Sequence, residues 1–132
     1  MVVLEELKRR IRDELVVGKT RVLEENLSVA KRLFALSEEG DIDLRVDRSR
    51  LTNRRLIALY MVAKAYAKEG GLVESEVVTN DELVEKLGLS YNTVRGSATN
   101  RLRREGIMLT DDGQHRIEYS KIGVVLGEVL ER

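Results

Sequence analysis

Residues 88–104 contain four arginines, Arg95, Arg101, Arg103 and Arg104, and no acid. Ser90, Tyr91, Asn92, Thr93, Thr99 and Asn100 stand among them. Guanidinium groups pair with phosphates and with the acceptor edge of guanine, carboxamides match adenine, and hydroxyls suit phosphate oxygens. An ordinary solvated helix face mixes Glu with Lys, because i,i+4 ion pairs stabilise it. A stretch with basic and amide side chains and no carboxylate therefore points to a polyanion, with a plain solvated face as the alternative.

Such residues act together only if one element holds them on one side. Val94, Ala98 and Leu102 recur at i, i+4 and i+8, which predicts a single helix over 91–105 with that stripe buried and Gly106 as its stop. At 100° per residue, the opposite face presents Asn92, Thr93, Gly96, Asn100 and Arg103, flanked by Thr99 and Arg104. Ser90 is placed to cap this helix. Just upstream, Thr79-Asn80-Asp81-Glu82 has the form of a capping box, with Val78 and Leu83 as its hydrophobic staple. That short helix buries Leu83, Val84 and Leu87 and ends at Gly88. A glycine in mid-helix costs about 1 kcal/mol against alanine. Gly96 thus marks either close approach by a groove or tight packing against another helix.

Residues 107–110 and 115–119 read as two strands around Asp111-Asp112-Gly113-Gln114, where Asp-Gly supplies the positive φ of a tight hairpin. Gln114, His115 and Arg116 are its candidate contacts, whereas Asp111 and Asp112 at the tip oppose phosphate.

Residues 79–119, with a preceding helix over 52–69, resemble the winged helix-turn-helix superfamily, in particular archaeal and bacterial transcription regulators. The resemblance covers roughly the last 80 residues, and residues 1–50 carry none. It implies that helix 91–105 enters the major groove of double-stranded DNA and that the wing touches the flanking backbone or minor groove. Asn92, Thr93, Gly96, Asn100 and Arg103 would then face bases or nearby phosphates. Ser90, Tyr91, Arg95 and Arg104 would lie closer to the backbone.

The surrounding elements follow from periodicity. The helix over 52–69, starting from Ser49 or Thr52, is apolar around most of its circumference, as a helix buried on several sides must be. Arg45, Arg48, Arg50, Arg54 and Arg55 lead into it, and either hold phosphates or pair with the acid-rich stretch 69–87. Leu4, Leu7, Ile11 and Leu15, stopped by Gly18, predict a first helix. A second, capped by Thr20, carries Val22, Leu23, Leu27, Ala30 and Phe34 and ends near Gly40, so the two read as a helical hairpin. Ile42, Leu44 and Val46 suggest a short strand. Ser120 opens a last helix whose stripe, Ile122, Val125, Leu126, Val129 and Leu130, is either a homodimer interface, as in regulators of this kind, or packed within its own subunit. The expected organisation is mainly α with a small β-hairpin wing: an N-terminal hairpin and extended segment (1–48), a winged helix-turn-helix (49–119) and a C-terminal helix (120–132).

Composition bounds the remainder. The chain has 132 residues, 42% hydrophobic and 35% charged, with zero formal net charge, no cysteine and one histidine. That excludes a disulfide framework and a thiolate metal site, and leaves no histidine cluster or histidine-centred triad. Gly18-Lys19-Thr20 is no P-loop, because Asp13 stands where glycine is needed and a helix where a strand is needed. The longest apolar run, 56–63, is too short to span a bilayer. The expectation is a cytoplasmic, non-enzymatic, double-stranded-DNA-binding homodimer without metal, cofactor or small-molecule ligand. A winged-helix protein-interaction module and a non-specific DNA-coating protein are the alternatives.

Overall fold

The computed structural model describes residues 2–15 and 18–131. It is mainly helical, with two small antiparallel hairpins. The centre is α4 (Asn53–Glu69), capped by Thr52, whose Oγ1 accepts from Arg55 N at 3.2 Å. Every residue over 56–63 on α4 is buried. A helix so covered has neighbours on several sides, and here they come from both ends of the chain.

On one side lie α2 (Lys19–Glu25), α3 (Leu27–Leu33) and the C-terminal helix α8 (Ile122–Leu130). The Tyr66 hydroxyl of α4 donates to Leu23 O at 2.7 Å, and burial pushes that phenol up to about 12. Ile122, Val125, Leu126 and Val129 are buried within this same chain. Of the two readings of this stripe, packing within its own subunit is the one observed, and only Leu130 of the five remains exposed. The helix starts after a 3-10 turn over Tyr119–Lys121 capped by Glu118, rather than at a Ser120 cap.

The segment after α3 departs from the helical reading. Phe34–Leu36 is a strand, β1, paired antiparallel with β2 (Ile42–Leu44) in the register Phe34 to Leu44 and Leu36 to Ile42. Helical periodicity ran on through Phe34, but its ring is held against Tyr66 at a centroid distance of 5.7 Å. The turn explains the change. Gly40 has φ +89°, and a Cβ there would come within 2.5 Å of Val73 Cγ1 and 2.9 Å of Leu72 O. Only glycine lets the hairpin fold back against 72–73.

The first helix, α1 (Val2–Glu14), does not form the expected hairpin with α2. Leu4, Leu7, Ile11 and Leu15 are 53%, 50%, 42% and 75% exposed, so the stripe that should have met α2 faces outward.

Candidate nucleic-acid interface

The residues singled out at 88–104 are positioned by three local devices. Helix α5 (Asn80–Leu87) begins at Thr79, whose Oγ1 accepts from Glu82 N at 3.2 Å. Only half of the capping box forms. The Glu82 carboxylate turns instead to Tyr60 Oη and Lys64 Nζ, each at 2.7 Å, fastening α5 to α4. Gly88 then adopts φ +68°, the left-handed conformation that ends the helix. Ser90 caps the next helical turn, its Oγ accepting from Thr93 N at 3.1 Å and donating to Thr93 Oγ1 at 2.8 Å.

The single helix expected over 91–105 is broken. A first turn, α6 (Tyr91–Thr93), passes through a kinked segment over Val94–Ala98 and then into α7 (Thr99–Arg104). Gly96, at φ −87° and ψ −124°, leaves the helical region. Nothing lies within 4 Å of where its Cβ would sit, which removes tight helix packing as the reason for a glycine. Val94, Ala98 and Leu102 are buried as the stripe required.

Outward lie Tyr91, Asn92, Arg95, Asn100, Arg101, Arg103 and Arg104, with Thr93 and Gly96 half-buried. Arg103 Nη2 donates to Asn100 Oδ1, so these two side chains form one unit on the face. Arg101 lies 3.9 Å from Glu105, the first acid after the stretch. Thr99 is a correction: it is 1% exposed, its Oγ1 directed at Arg95 O at 3.4 Å, and it has no outward face. The break at Gly96 shifts the angular frame, so a wheel turned through 100° per residue places Thr99 wrongly.

The downstream hairpin pairs β3 (Met108–Asp111) with β4 (Gln114–Ile117). Asp112 and Gly113 have φ +51° and +75°, as the turn demands. Gln114 and Arg116 are exposed. His115 is the second correction, because it is 2% exposed and fully engaged. Its backbone pairs with Val78 through two bonds of 2.8 Å, its Nδ1 meets Thr110 Oγ1 at 2.8 Å, and its Nε2 meets Asn80 Oδ1 at 2.7 Å. A carboxamide oxygen only accepts, so Nε2 carries the proton and Nδ1 accepts from the Thr110 hydroxyl. Burial, and then the positive charge of Arg103, lower its pKa and keep the ring neutral. The signal was present in the sequence: Gln114 and Arg116 alternate with His115 and Ile117, which puts the imidazole on the inner face.

The arginine cluster divides. Arg54 lies 3.3 Å from Glu105 and 2.8 Å from Glu128, and Arg55 lies 3.3 Å from Glu128. Their side chains are only 12% and 18% exposed. The phosphate role expected of Arg54 and Arg55 is therefore corrected: they join the start of α4 to α8 and, through Arg54, to the end of α7. Nor are their partners in the acid-rich stretch 69–87. Burial would raise the Glu128 carboxyl, but the bonds and charges of Arg54 and Arg55 hold it below its usual value. Arg48 donates to Leu87 O, satisfying a carbonyl at the α5 terminus beside the turn. Arg50 is exposed and lies 3.5 Å from Asp47. Among the described residues no three His, Asp or Glu side chains gather as a metal site, and no helix is long and apolar enough to cross a membrane.

No protein-family model, curated protein or solved structure matches the chain.

Proposed function

We propose that residues 49–119 are a winged helix-turn-helix and that the protein binds double-stranded DNA through 88–104, acting as a transcription regulator. The observation that carries this reading is the run of outward, acid-free polar side chains, Asn92, Arg95, Asn100, Arg103 and Arg104, directly after a capped glycine turn. In this reading Asn100 and Arg103 read base edges as a pair, and Arg95 and Arg104 hold phosphates. Ser90 and Tyr91 approach the backbone at the start of α6. Gly96 lets the duplex come close where a side chain would intervene. Gln114 and Arg116 supply what contact the wing makes. Fluorescence anisotropy with random duplex DNA at two salt concentrations tests it, because neutralised phosphates release counterions and make affinity fall steeply with salt.

A second reading, a winged-helix module that binds protein, is favoured by one feature, the exposed acids Asp111 and Asp112 at the hairpin tip. It requires that duplex DNA fail to bind at low salt. A non-specific DNA-coating protein would instead bind duplexes of every sequence alike.

A further inference from the structure

The bond between Arg103 and Asn100 limits which bases the outward face of α7 can read. A guanidinium only donates, so the carboxamide atom that meets Arg103 Nη2 must be the oxygen. Asn100 Oδ1 is thereby engaged, and the N–H groups of Nδ2 are what Asn100 offers outward. The hydroxyls nearby are engaged too. Ser90 Oγ donates to Thr93 Oγ1 at 2.8 Å, and Thr99 Oγ1 is directed at Arg95 O at 3.4 Å. Helix α7 has no carboxylate, so its exposed side chains, Asn100, Arg101, Arg103 and Arg104, present donors. At 100° per residue, Asn100 stands between Arg103 and Arg104, and Arg101 lies beyond Arg104 on the side of Glu105.

Base edges differ in what they accept. In the major groove guanine shows two acceptors, N7 and O6, whereas adenine shows N7 beside the donating N6 amino group. A carboxamide that takes adenine by two bonds accepts from N6 with its oxygen. Here the Arg103 guanidinium lies against that oxygen, and an adenine amino group brought there meets other N–H groups. The rest of the guanidinium fork can still close on O6 and N7 of one guanine. Three residues of helix advance about 4.5 Å, near the spacing of about 3.4 Å between stacked bases, so the two side chains match neighbouring bases. Nδ2 then has N7 of the neighbour to donate to, an acceptor that both purines carry.

We propose that Asn100 and Arg103 together select a guanine next to a purine: Arg103 takes the guanine by O6 and N7, and Asn100 Nδ2 takes N7 of the adjacent purine without favouring adenine. This rests on the reading of 88–104 as a DNA surface and names what that surface reads. Asn100 serves twice, holding the guanidinium with its oxygen and the base with its nitrogen.

Selection of preferred duplexes from a random pool by the full chain tests it, followed by anisotropy on the selected site and its single-base variants. Wild type is compared with Asn100→Asp and Arg103→Lys; both positions are exposed, and circular dichroism checks that each variant keeps its fold. The selected site should contain a guanine whose replacement weakens wild-type binding by about tenfold or more. That preference should be lost in Arg103→Lys, which keeps the charge but not the fork, while affinity for random duplex stays within about threefold. At the adjacent base, guanine and adenine should bind within about threefold of each other. Asn100→Asp still accepts from Arg103 but has no N–H, so it should keep the guanine and exchange the adjacent purine for cytosine, whose amino group a carboxylate accepts from. A preference of about tenfold for adenine at the adjacent base would show Oδ1 reading N6 and overturn the proposal. So would a guanine preference untouched by Arg103→Lys, or binding indifferent to sequence; each leaves DNA binding itself standing. No binding to any duplex at low salt overturns the DNA reading, and this selection with it.

Discussion

His115 Nε2 lies 2.7 Å from Asn80 Oδ1, so one buried imidazole ties the β3–β4 hairpin to the first turn of α5. The hairpin therefore does not hang from the body. Its inner edge is bonded to the element that leads into the glycine turn, and His115→Ala is expected to cost about 2–3 kcal/mol through two lost hydrogen bonds and the space left by the ring. Chemical denaturation measures this; a variant within about 0.5 kcal/mol of wild type would contradict the tie.

The same residue gives stability a pH dependence. Its pKa is lowered in the folded state from an ordinary 6.5, so the unfolded chain takes up a proton that the folded one resists. Stability from this source is full above pH 6.5 and is lost as pH falls through the lower folded value. A further loss follows below pH 4.5, where Glu128, also depressed, protonates and releases Arg54 and Arg55. Denaturation curves at a series of pH values should show the upper step vanish in His115→Ala and the lower step shrink in Glu128→Gln.

Arg54 and Arg103 are expected to separate architecture from the proposed DNA recognition. Arg54→Ala leaves Glu105 and Glu128 without their nearest cation and should lower stability, while DNA affinity of the folded fraction stays within about threefold of wild type. Arg103→Ala should leave stability nearly unchanged and cost about 1–3 kcal/mol of DNA binding, with relaxed sequence preference. Thermal melts and anisotropy on the same samples decide both halves.

Gly40 and Gly96 should behave oppositely. Gly40→Ala meets Val73 and the Leu72 carbonyl and carries a positive φ, so a loss of about 1–3 kcal/mol is expected. Gly96→Ala meets nothing within 4 Å, and alanine favours the helix by about 1 kcal/mol. It should raise the helical circular-dichroism signal and hold or raise Tm, while weakening DNA binding by about tenfold if the duplex approaches there. A clear fall in Tm would show that the break at Gly96 is required by the fold.

The devices that were legible in the sequence are those written locally. Thr52, Thr79 and Ser90 cap helices with their own hydroxyls, Gly88 ends one, and Asp112-Gly113 turns a hairpin, because each depends on backbone within a few residues. What escaped depends on contacts across the chain. Phe34 continued a helical pattern but was claimed by Tyr66 and a strand partner. Glu82 had the spacing of a reciprocal cap but found Tyr60 and Lys64. Thr99 followed from a wheel that assumed one unbroken helix. The α1 stripe was read correctly as apolar, but periodicity says only that a face seeks a partner and not which partner is within reach.

The central claim is that 88–104 is a DNA-reading surface, and titration of labelled random duplex at low and at moderate salt tests it most directly. Binding that weakens by about tenfold or more between about 50 and 200 mM salt, and that falls further in Arg103→Ala, is the expected result. Absence of binding at the lower salt, or affinity unchanged by Arg103→Ala, would contradict it.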